Sequence, residues 1–272
     1  MNEILGRGAF SVVKKGTYAS SPVAIRHFVS HFVTMETSET SDIVSKVRKE
    51  VKMMETLRHV NVIHIYGLCS ELPTTLMVVM ELAECSLDYC IYNRRLDLPI
   101  PARYNIMLGI VAGLDYAHGK GVLHCDIKSF NVLVKTRGSF DPENFKLTDF
   151  CLARDPEDNN SVMSHSHNPS NSWLAPEASE GGRDYHFTKA ADVYSLGMLF
   201  YELLSRHIPY EGLSNREFYR ELDRQGRPDS IFPVEDGVAK EAVELMRACW
   251  AEVPLERPSV TDVGIAVKAL QD

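Results

Sequence analysis

The chain has 272 residues, 44% of them hydrophobic and 24% charged, a balance that excludes a disordered or collagen-like protein and predicts about two lobes or one large domain. It carries 29 Lys and Arg against 37 Asp and Glu, and the resulting net charge of -8 argues against nucleic-acid partners and acidic membrane surfaces. The densest apolar run, residues 76–80, has the length of a strand, so no membrane span is predicted in this chain.

The first hundred residues predict strands around a single helix. Runs typical of strands lie near residues 2–5, 12–18, 22–28, 63–68 and 75–81. Before the fourth run, apolar residues recur at helical spacing from Ile43 to Leu57, which predicts the helix.

After Pro99 and Pro101 the pattern changes to amphipathic helices. These are predicted at residues 102–117, 188–204, 217–225, 238–250 and 260–269. Short strands are predicted between them near residues 122–124, 132–135 and 145–148. A strand-rich half followed by a helix-rich half predicts an α+β fold in two lobes. The polar stretch 155–172 predicts a long functional loop.

The six cysteines are scattered, with no Cys-x-x-Cys pair and no zinc-like spacing. This is typical of reduced thiols in an intracellular protein. We therefore predict a cytoplasmic chain, or the intracellular domain of a larger protein.

A glycine-containing stretch, Gly6-Arg-Gly8-Ala-Phe10-Ser11-Val-Val13, joins the first two predicted strands. A dinucleotide-binding turn would lead from a strand into a helix and would carry a third glycine in place of Ser11. The stretch fits better a β-hairpin folded over a nucleotide. Glycine pairs also occur at many tight turns, so this motif is weak by itself.

The third predicted strand contains Val23-Ala-Ile-Arg26. Ala24 and Arg26 point to the same face, because side chains alternate along a strand. A small residue leaves room for a flat base and the cation reaches its phosphates, whereas the simpler alternative is a surface arginine on an ordinary strand. Glu50 lies one helical turn before Met54, which predicts an ion pair between Glu50 and Arg26.

The strongest local signal is the segment His124-Cys-Asp126-Ile-Lys128-Ser-Phe-Asn131. Asp126 is suited to accept a proton from a hydroxyl group, Lys128 to neutralise a phosphate, and Asn131 to hold a metal ion. Asp149, which follows a further short strand, offers a second hard oxygen ligand.

In their order and spacing these motifs resemble those of a protein kinase domain, closest to the tyrosine-kinase-like and receptor-like serine/threonine group. The resemblance continues through Trp173-Leu-Ala-Pro-Glu177, Asp192-Val-Tyr-Ser-Leu-Gly197, Cys249-Trp250 and Glu256-Arg257-Pro258. It implies a bilobal α+β fold, with a small antiparallel sheet lobe that carries one helix and a larger helical lobe. The implied limits are a kinase domain over residues 1–272, with lobes at 1–80 and 85–272 and a hinge at 81–84.

The resemblance also implies that Glu177 pairs with Arg257, and that Asp192 anchors the catalytic loop from a buried helix. A set of side chains is expected to stack between the two lobes: Ile65, Met54, Phe150 and His124.

The same resemblance implies ATP and Mg²⁺ as cofactors, and a protein substrate or a regulated partner protein. The implied catalytic residues are Asp126, Lys128 and Asn131, and the implied metal ligands are Asn131 and Asp149. The implied nucleotide-binding residues are Leu5, Gly6, Arg7, Gly8, Ala9, Phe10, Ser11, Val13, Ala24, Arg26, Glu50, Met80, Glu81, Ala83 and Leu133.

Four residues depart from the family pattern. Arg26 replaces the lysine that holds the phosphates, Ser11 the last glycine of the hairpin, Cys151 the glycine after Asp-Phe, and Cys125 an arginine that pairs with a loop phosphate. A guanidinium does not substitute for an ammonium at a tight phosphate contact, so we expect weakened phosphoryl transfer to protein Ser and Thr. The change at Cys125 predicts weak or no switching by loop phosphorylation.

The alternative hypothesis is a pseudokinase, a nucleotide-sensing scaffold or allosteric binding module without catalysis.

Overall fold

The computed structural model describes residues 3–8, 11–28, 48, 51–72, 75–150, 172–179 and 187–271. Several predicted features lie outside these residues, namely Ala9, Phe10, Glu50, Cys151 and nearly all of the stretch 155–172.

The N-terminal half forms one antiparallel sheet with the order β1-β2-β3-β5-β4. Its strands are β1 (Ile4–Arg7), β2 (Ser11–Tyr18), β3 (Ser21–Phe28), β4 (Ile65–Leu72) and β5 (Thr75–Glu81). Ala19 and Ser20 connect β2 to β3 with φ of 47° and 65°, the left-handed backbone that a two-residue hairpin requires.

One helix, α1, lies against this sheet and has its described turn at residues 51–54. Val51 and Met54 are buried in the same apolar core as Ala24 and Met80 of the sheet. The described helix ends at residue 54, three residues before the predicted end, because the backbone turns at Glu55 and Thr56.

The C-terminal half is mainly helical and carries a second, three-stranded sheet with the order β6-β7-β8. Its strands are β6 (Cys85–Ser86), β7 (Val132–Val134) and β8 (Phe145–Leu147). Its helices are α2 (Leu87–Tyr92), α3 (Ile100–Gly119), α4 (Pro176–Ser179), α5 (Lys189–Ser205), α6 (Asn215–Asp223), α7 (Lys240–Cys249) and α8 (Val260–Ala269).

Helix α5 lies at the centre of this half, and every residue from Ala191 to Ser205 is buried. A helix that is buried on all sides lies in the interior of a lobe. Helix α7 approaches it at Gly197, where an added Cβ would lie 2.9 Å from the Cβ of Cys249. The polar residues within α5 are therefore held deep in the larger lobe.

The bilobal α+β architecture confirms the predicted fold class, and the five predicted helices of the larger lobe lie within about two residues of their predicted bounds. The helix predicted at 188–204 is buried on all sides and is not amphipathic. The strand predicted at 122–124 is wrong, since that segment is irregular. The backbone N–H of His124 donates to the Asp192 carboxylate instead of to a neighbouring strand. The sequence interpretation also missed β6 and α2. Among the described helices, none combines the length and apolarity that crossing a membrane would need.

Candidate active site

Three predicted catalytic residues meet in the loop before β7. The Lys128 ammonium donates to Oδ1 of Asp126 at 2.8 Å, and the Asn131 carboxamide nitrogen donates to Oδ2 of Asp126 at 2.7 Å. The same nitrogen also donates to the Asp126 carbonyl oxygen at 2.8 Å. These hydrogen bonds from Lys128 and Asn131 hold the Asp126 carboxylate in one orientation, while 32% of the Asp126 side chain stays exposed. A carboxylate in this setting is accessible to a hydroxyl group of an incoming substrate.

Asp192 of α5 holds the start of this loop in place. Its carboxylate accepts the backbone N–H groups of His124 at 2.9 Å and Cys125 at 2.7 Å, and contacts Nε2 of His118 at 2.8 Å. Cys125 has a φ of 63°, a conformation that is strained for a residue with a Cβ. Hydrogen bonds to the buried Asp192 maintain that strain, so the predicted anchoring of the loop is confirmed.

A second buried carboxylate, Glu202 of α5, holds the other end of the loop. It accepts hydrogen bonds from the Ser129 hydroxyl at 2.5 Å, the Ser129 backbone N–H at 3.3 Å and the Trp173 indole at 2.6 Å. The hydroxyl of Tyr92 in α2 also donates to it. Burial raises the pKa of Glu202 to about 7, against the lowering effect of these hydrogen bonds. Glu202 was not predicted from the sequence, although a glutamate inside the apolar run of α5 is an unusual feature.

Asp149 contacts a residue of the small lobe. Nη1 of Arg26 in β3 lies 2.5 Å from Oδ1 of Asp149, and Nε of the same guanidinium donates to the buried Ser11 hydroxyl at 3.0 Å. Two of the departures from the family pattern, Arg26 and Ser11, therefore contact each other. The predicted pair between Arg26 and Glu50 lies outside the described residues.

Asp149 and the catalytic loop are neighbours through the backbone. The N–H of Thr148 donates to the carbonyl oxygen of Asn131 at 3.0 Å, and Asp149 follows with a φ of 58°. Non-glycine residues in this conformation are uncommon and are concentrated at functional sites. The two predicted metal ligands, distant in sequence, thus come from adjacent segments.

The donor set of these two residues fits Mg²⁺. A carboxylate and a carboxamide oxygen are hard ligands, and Mg²⁺ commonly takes one or two such side chains together with phosphate oxygens of a substrate. Both hydrogen bonds of the Asn131 nitrogen go to Asp126, which leaves the carboxamide oxygen as the Asn131 atom suited to a metal ion. Within the described ranges, no group of three or more His, Cys, Asp or Glu could hold a metal ion by itself.

The packing between the lobes contains the predicted aromatic contact. The rings of His124 and Phe150 lie with centroids 4.4 Å apart, and both side chains are fully buried. Desolvation lowers the pKa of His124 despite the opposing charges of Asp192, Asp126 and Asp149. The imidazole is therefore neutral at neutral pH, and its Nδ1 accepts the backbone N–H of Asp126 at 3.3 Å.

The predicted purine-binding residues lie around the junction of the lobes. Ala24 of β3 pairs with Met80 of β5, which also pairs with Ile65 of β4. A small cavity behind them is lined by Arg26, Phe28, Met54, Ile63, Ile65, Val78, Met80, Thr148 and Asp149.

Other members of the predicted nucleotide set lie in the first hairpin and in the second sheet. The strands β1 and β2 form the expected hairpin, and the Gly8 N–H donates to the Ser11 carbonyl oxygen at 2.8 Å. Leu133 lies opposite Ser86 and Lys146 in the second sheet. The Glu81 carboxylate lies 3.2 Å from the Lys146 ammonium, so this side chain is paired within the protein.

A further predicted pair supports the larger lobe. Arg257 donates from both terminal nitrogens to the carboxylate of Glu177, at 2.6 and 3.0 Å. The Arg257 side chain is fully buried, and its Nε donates to the Ala251 carbonyl oxygen at 2.8 Å. This bidentate geometry confirms the expected pairing.

The comparisons with known proteins agree with this geometry. The profile of the family described as protein tyrosine and serine/threonine kinase matches residues 1–267. The chain belongs to the protein kinase family. Membership of this family implies that the domain binds ATP.

Three relatives illustrate where the similarity lies. A serine/threonine-protein kinase/receptor of Acanthamoeba polyphaga mimivirus is 31% identical over 97% of this chain and 15% of its own length. The serine/threonine-protein kinase drkD of Dictyostelium discoideum is 29% identical over 95% of this chain and 19% of its own length. Mitogen-activated protein kinase kinase kinase 7 of Drosophila melanogaster is 28% identical over 100% of this chain and 37% of its own length. The chain thus spans well under half the length of these relatives.

Proposed function

We propose that this domain transfers the γ-phosphoryl group of ATP to Ser or Thr hydroxyls of a protein, at a rate reduced by Arg26. The observation that carries the proposal is the convergence of Asp126, Lys128 and Asn131 with the segment of Asp149. For this function we assign residues 1–80 to the small lobe, 81–84 to the hinge and 85–272 to the large lobe.

Each side chain has a role that its geometry supports. The exposed carboxylate of Asp126 accepts the proton of the substrate hydroxyl, and its hydrogen bonds with Lys128 and Asn131 orient it. Lys128 neutralises charge on the transferring phosphoryl group. Asn131 and Asp149 would hold Mg²⁺, which when bound neutralises negative charge on the phosphates. Positioning and charge stabilisation supply most of the catalysis of phosphoryl transfer.

The contacts of Arg26 are the reason to expect a slow enzyme. Its guanidinium already binds Asp149 at 2.5 Å and the Ser11 hydroxyl at 3.0 Å. The same group would have to release or share Asp149 when phosphates and Mg²⁺ enter. Losing one charge-stabilising contact typically costs about 10²- to 10³-fold in rate.

The same contact favours a second candidate function, that of a pseudokinase. An internal cation paired with Asp149 would hold β3 and the Asp149 segment in one arrangement without nucleotide or metal. The domain would then act by presenting that arrangement to a partner protein, with no required chemistry.

A radiolabelled phosphotransfer assay separates the two candidates. The unmodified chain is compared with Arg26→Lys, with the double variant Ser11→Gly/Arg26→Lys, and with Asp126→Asn as the inactive control. The double variant is needed because Lys at position 26 would leave the buried Ser11 hydroxyl without its present donor.

We expect slow transfer by the unmodified chain, a gain of about 10²- to 10³-fold in the double variant, and none in Asp126→Asn. If no version transfers phosphate while ATP still raises the melting temperature, the pseudokinase function replaces the proposal.

A further inference from the structure

Two thiols lie in contact where β6 passes into α2. The Sγ atoms of Cys85 in β6 and Cys90 in α2 are 3.9 Å apart, and both side chains are half-buried. Ser86 between them is the N-cap of α2, with an extended φ and ψ of -91° and 159°. Cys85 therefore precedes the N-cap, and Cys90 is the fourth residue of the helix.

These two positions are the ones at which apolar side chains pack together at the start of many helices, an arrangement called the hydrophobic staple. The backbone of a helix start therefore brings the two side chains together whatever their identity. In this chain both of these residues are cysteines, so the two thiols in contact can be oxidised to a disulfide.

The surroundings of the pair favour reaction at Cys90. A hydrogen bond from the Cys85 thiol lowers the pKa of Cys90, against its burial and the nearby Asp88, and the Arg137 guanidinium lowers it further. The pKa of Cys85 is raised by the same hydrogen bond and by burial, so Cys85 keeps the proton. A thiolate is the reactive form of cysteine. By contrast, burial raises the pKa of Cys249 to about 12, which disfavours its thiolate.

We propose that Cys85 and Cys90 form a reversible disulfide when the protein meets a hydroperoxide. The Cys90 thiolate attacks the peroxide oxygen, the O–O bond breaks, and Cys90 becomes a sulfenic acid while an alkoxide or hydroxide leaves and is protonated. Cys85 then attacks this sulfur, its proton goes to the departing hydroxyl group, and water leaves. Two thiols and one hydroperoxide thus give one disulfide, one water and the alcohol or a second water.

Little movement is required for this bond. The two sulfur atoms must approach from 3.9 Å to the disulfide bond length of roughly 2.05 Å. Both residues belong to one segment of six residues, so closure of the bond requires no rearrangement between distant parts of the chain.

The proposed disulfide would lie where the second sheet meets helix α2. Ser86 pairs with Leu133 of β7, and the N–H of Glu84 donates to the carbonyl oxygen of Val134 at 2.9 Å. Helix α2 in turn carries Tyr92, which donates to Glu202. The disulfide would therefore tie the strand that follows the hinge to the helix that supports the catalytic loop. This inference does not depend on whether the domain is a kinase or a pseudokinase.

Peptide mapping of the full chain after treatment with hydrogen peroxide tests the proposal. Remaining thiols are alkylated, and the chain is digested without reductant by a protease that cleaves before Asp88, which separates the two cysteines. We expect the peptides containing Cys85 and Cys90 to stay joined after peroxide treatment and to separate when dithiothreitol is added. This measurement needs no variant, so a folding defect cannot obscure it.

Matched variants identify the pair. Cys85→Ser and Cys90→Ser should each abolish the joined peptides, whereas Cys69→Ser, at another half-buried thiol, should leave them unchanged. Cys151→Ser should also leave them unchanged, because Cys151 has no part in the proposed bond. Both cysteines recovered alkylated after peroxide treatment, sulfinic acid at Cys90 without a link, or loss of the link in Cys151→Ser would each overturn the proposal.

Discussion

Replacing Glu202 by glutamine should change how the stability of the protein depends on pH. The carboxyl group is fully buried, and burial raises its pKa from 4.5 to about 7. The native state therefore binds one more proton than the unfolded state between these two pH values. The stabilisation from this proton is fully present below about pH 4.5 and is lost as the pH rises to about 7.

The size of the effect follows from the shift. One pKa unit corresponds to about 1.4 kcal/mol, so a rise from 4.5 to about 7 corresponds to a change of about 3 kcal/mol in the free energy of unfolding. Glutamine at position 202 cannot titrate, so the variant loses this dependence. Its amide nitrogen would also face the hydrogen-bond donors of Ser129, Tyr92 and Trp173, which lowers stability at every pH.

Urea unfolding, followed by tryptophan fluorescence at several pH values from about 5 to 8, measures this difference. We expect the stability of the unmodified protein, relative to Glu202→Gln, to rise by about 2 to 3 kcal/mol as the pH falls across this range. Tyr92→Phe is the matched control, since it removes one donor and keeps the carboxyl group. Its pH-dependent range should extend to higher pH, because the lost hydrogen bond had lowered the pKa of Glu202.

Parallel pH profiles for the unmodified protein and Glu202→Gln would refute this reasoning. They would show that the carboxyl group titrates alike in the folded and unfolded chains, and that its hydrogen bonds fully offset its burial.

Two substitutions in the larger lobe test its packing. Gly109→Ala in α3 should destabilise the protein by about 2 kcal/mol, because the new Cβ would lie 2.2 Å from the Pro142 carbonyl oxygen and this crowding outweighs the gain of about 1 kcal/mol in helix propensity. Gly119→Ala in the same helix, where nothing lies within 4 Å, is the control; equal melting temperatures for the two variants would contradict the argument. Arg257→Ala should cost about 3 to 5 kcal/mol by leaving Glu177 unpaired, and Arg257→Lys should cost less, as measured by urea unfolding. Equal costs for Ala and Lys would show that the positive charge contributes nothing.

The parts of the fold that the sequence predicted best depend on short-range patterns. Helix α8 was predicted at its observed bounds, because its apolar residues recur at helical spacing. The hairpin at Gly6 and Gly8 follows from two strand-like runs separated by few residues. The strand predicted at 122–124 was wrong because of a long-range contact. The backbone N–H groups of His124 and Cys125 donate to Asp192, which is distant in sequence.

In the candidate site, too, local motifs indicated some residues, whereas other contacts form only on folding. Motif order indicated Asp126, Lys128 and Asn131, which lie within six residues of one another and meet through local hydrogen bonds. The sequence did not indicate that Arg26 binds Asp149, because the two residues are separated by 123 positions. Nor did it indicate which groups bind Glu202, because its hydrogen-bond donors come from α2, the loop before β7 and the segment before α4.

The sequence by itself determined the kinase family, the α+β class and the residue types available for phosphoryl transfer, because these depend on motifs and periodicities read along the chain. Only the tertiary structure decided which charges neutralise one another and which polar groups are buried. Ion pairing and desolvation depend on distance in space, and folding brings together residues such as Arg26 and Asp149 that no local pattern connects. The proposed effect of Arg26 on phosphoryl transfer therefore rests on a contact that forms only in the folded chain.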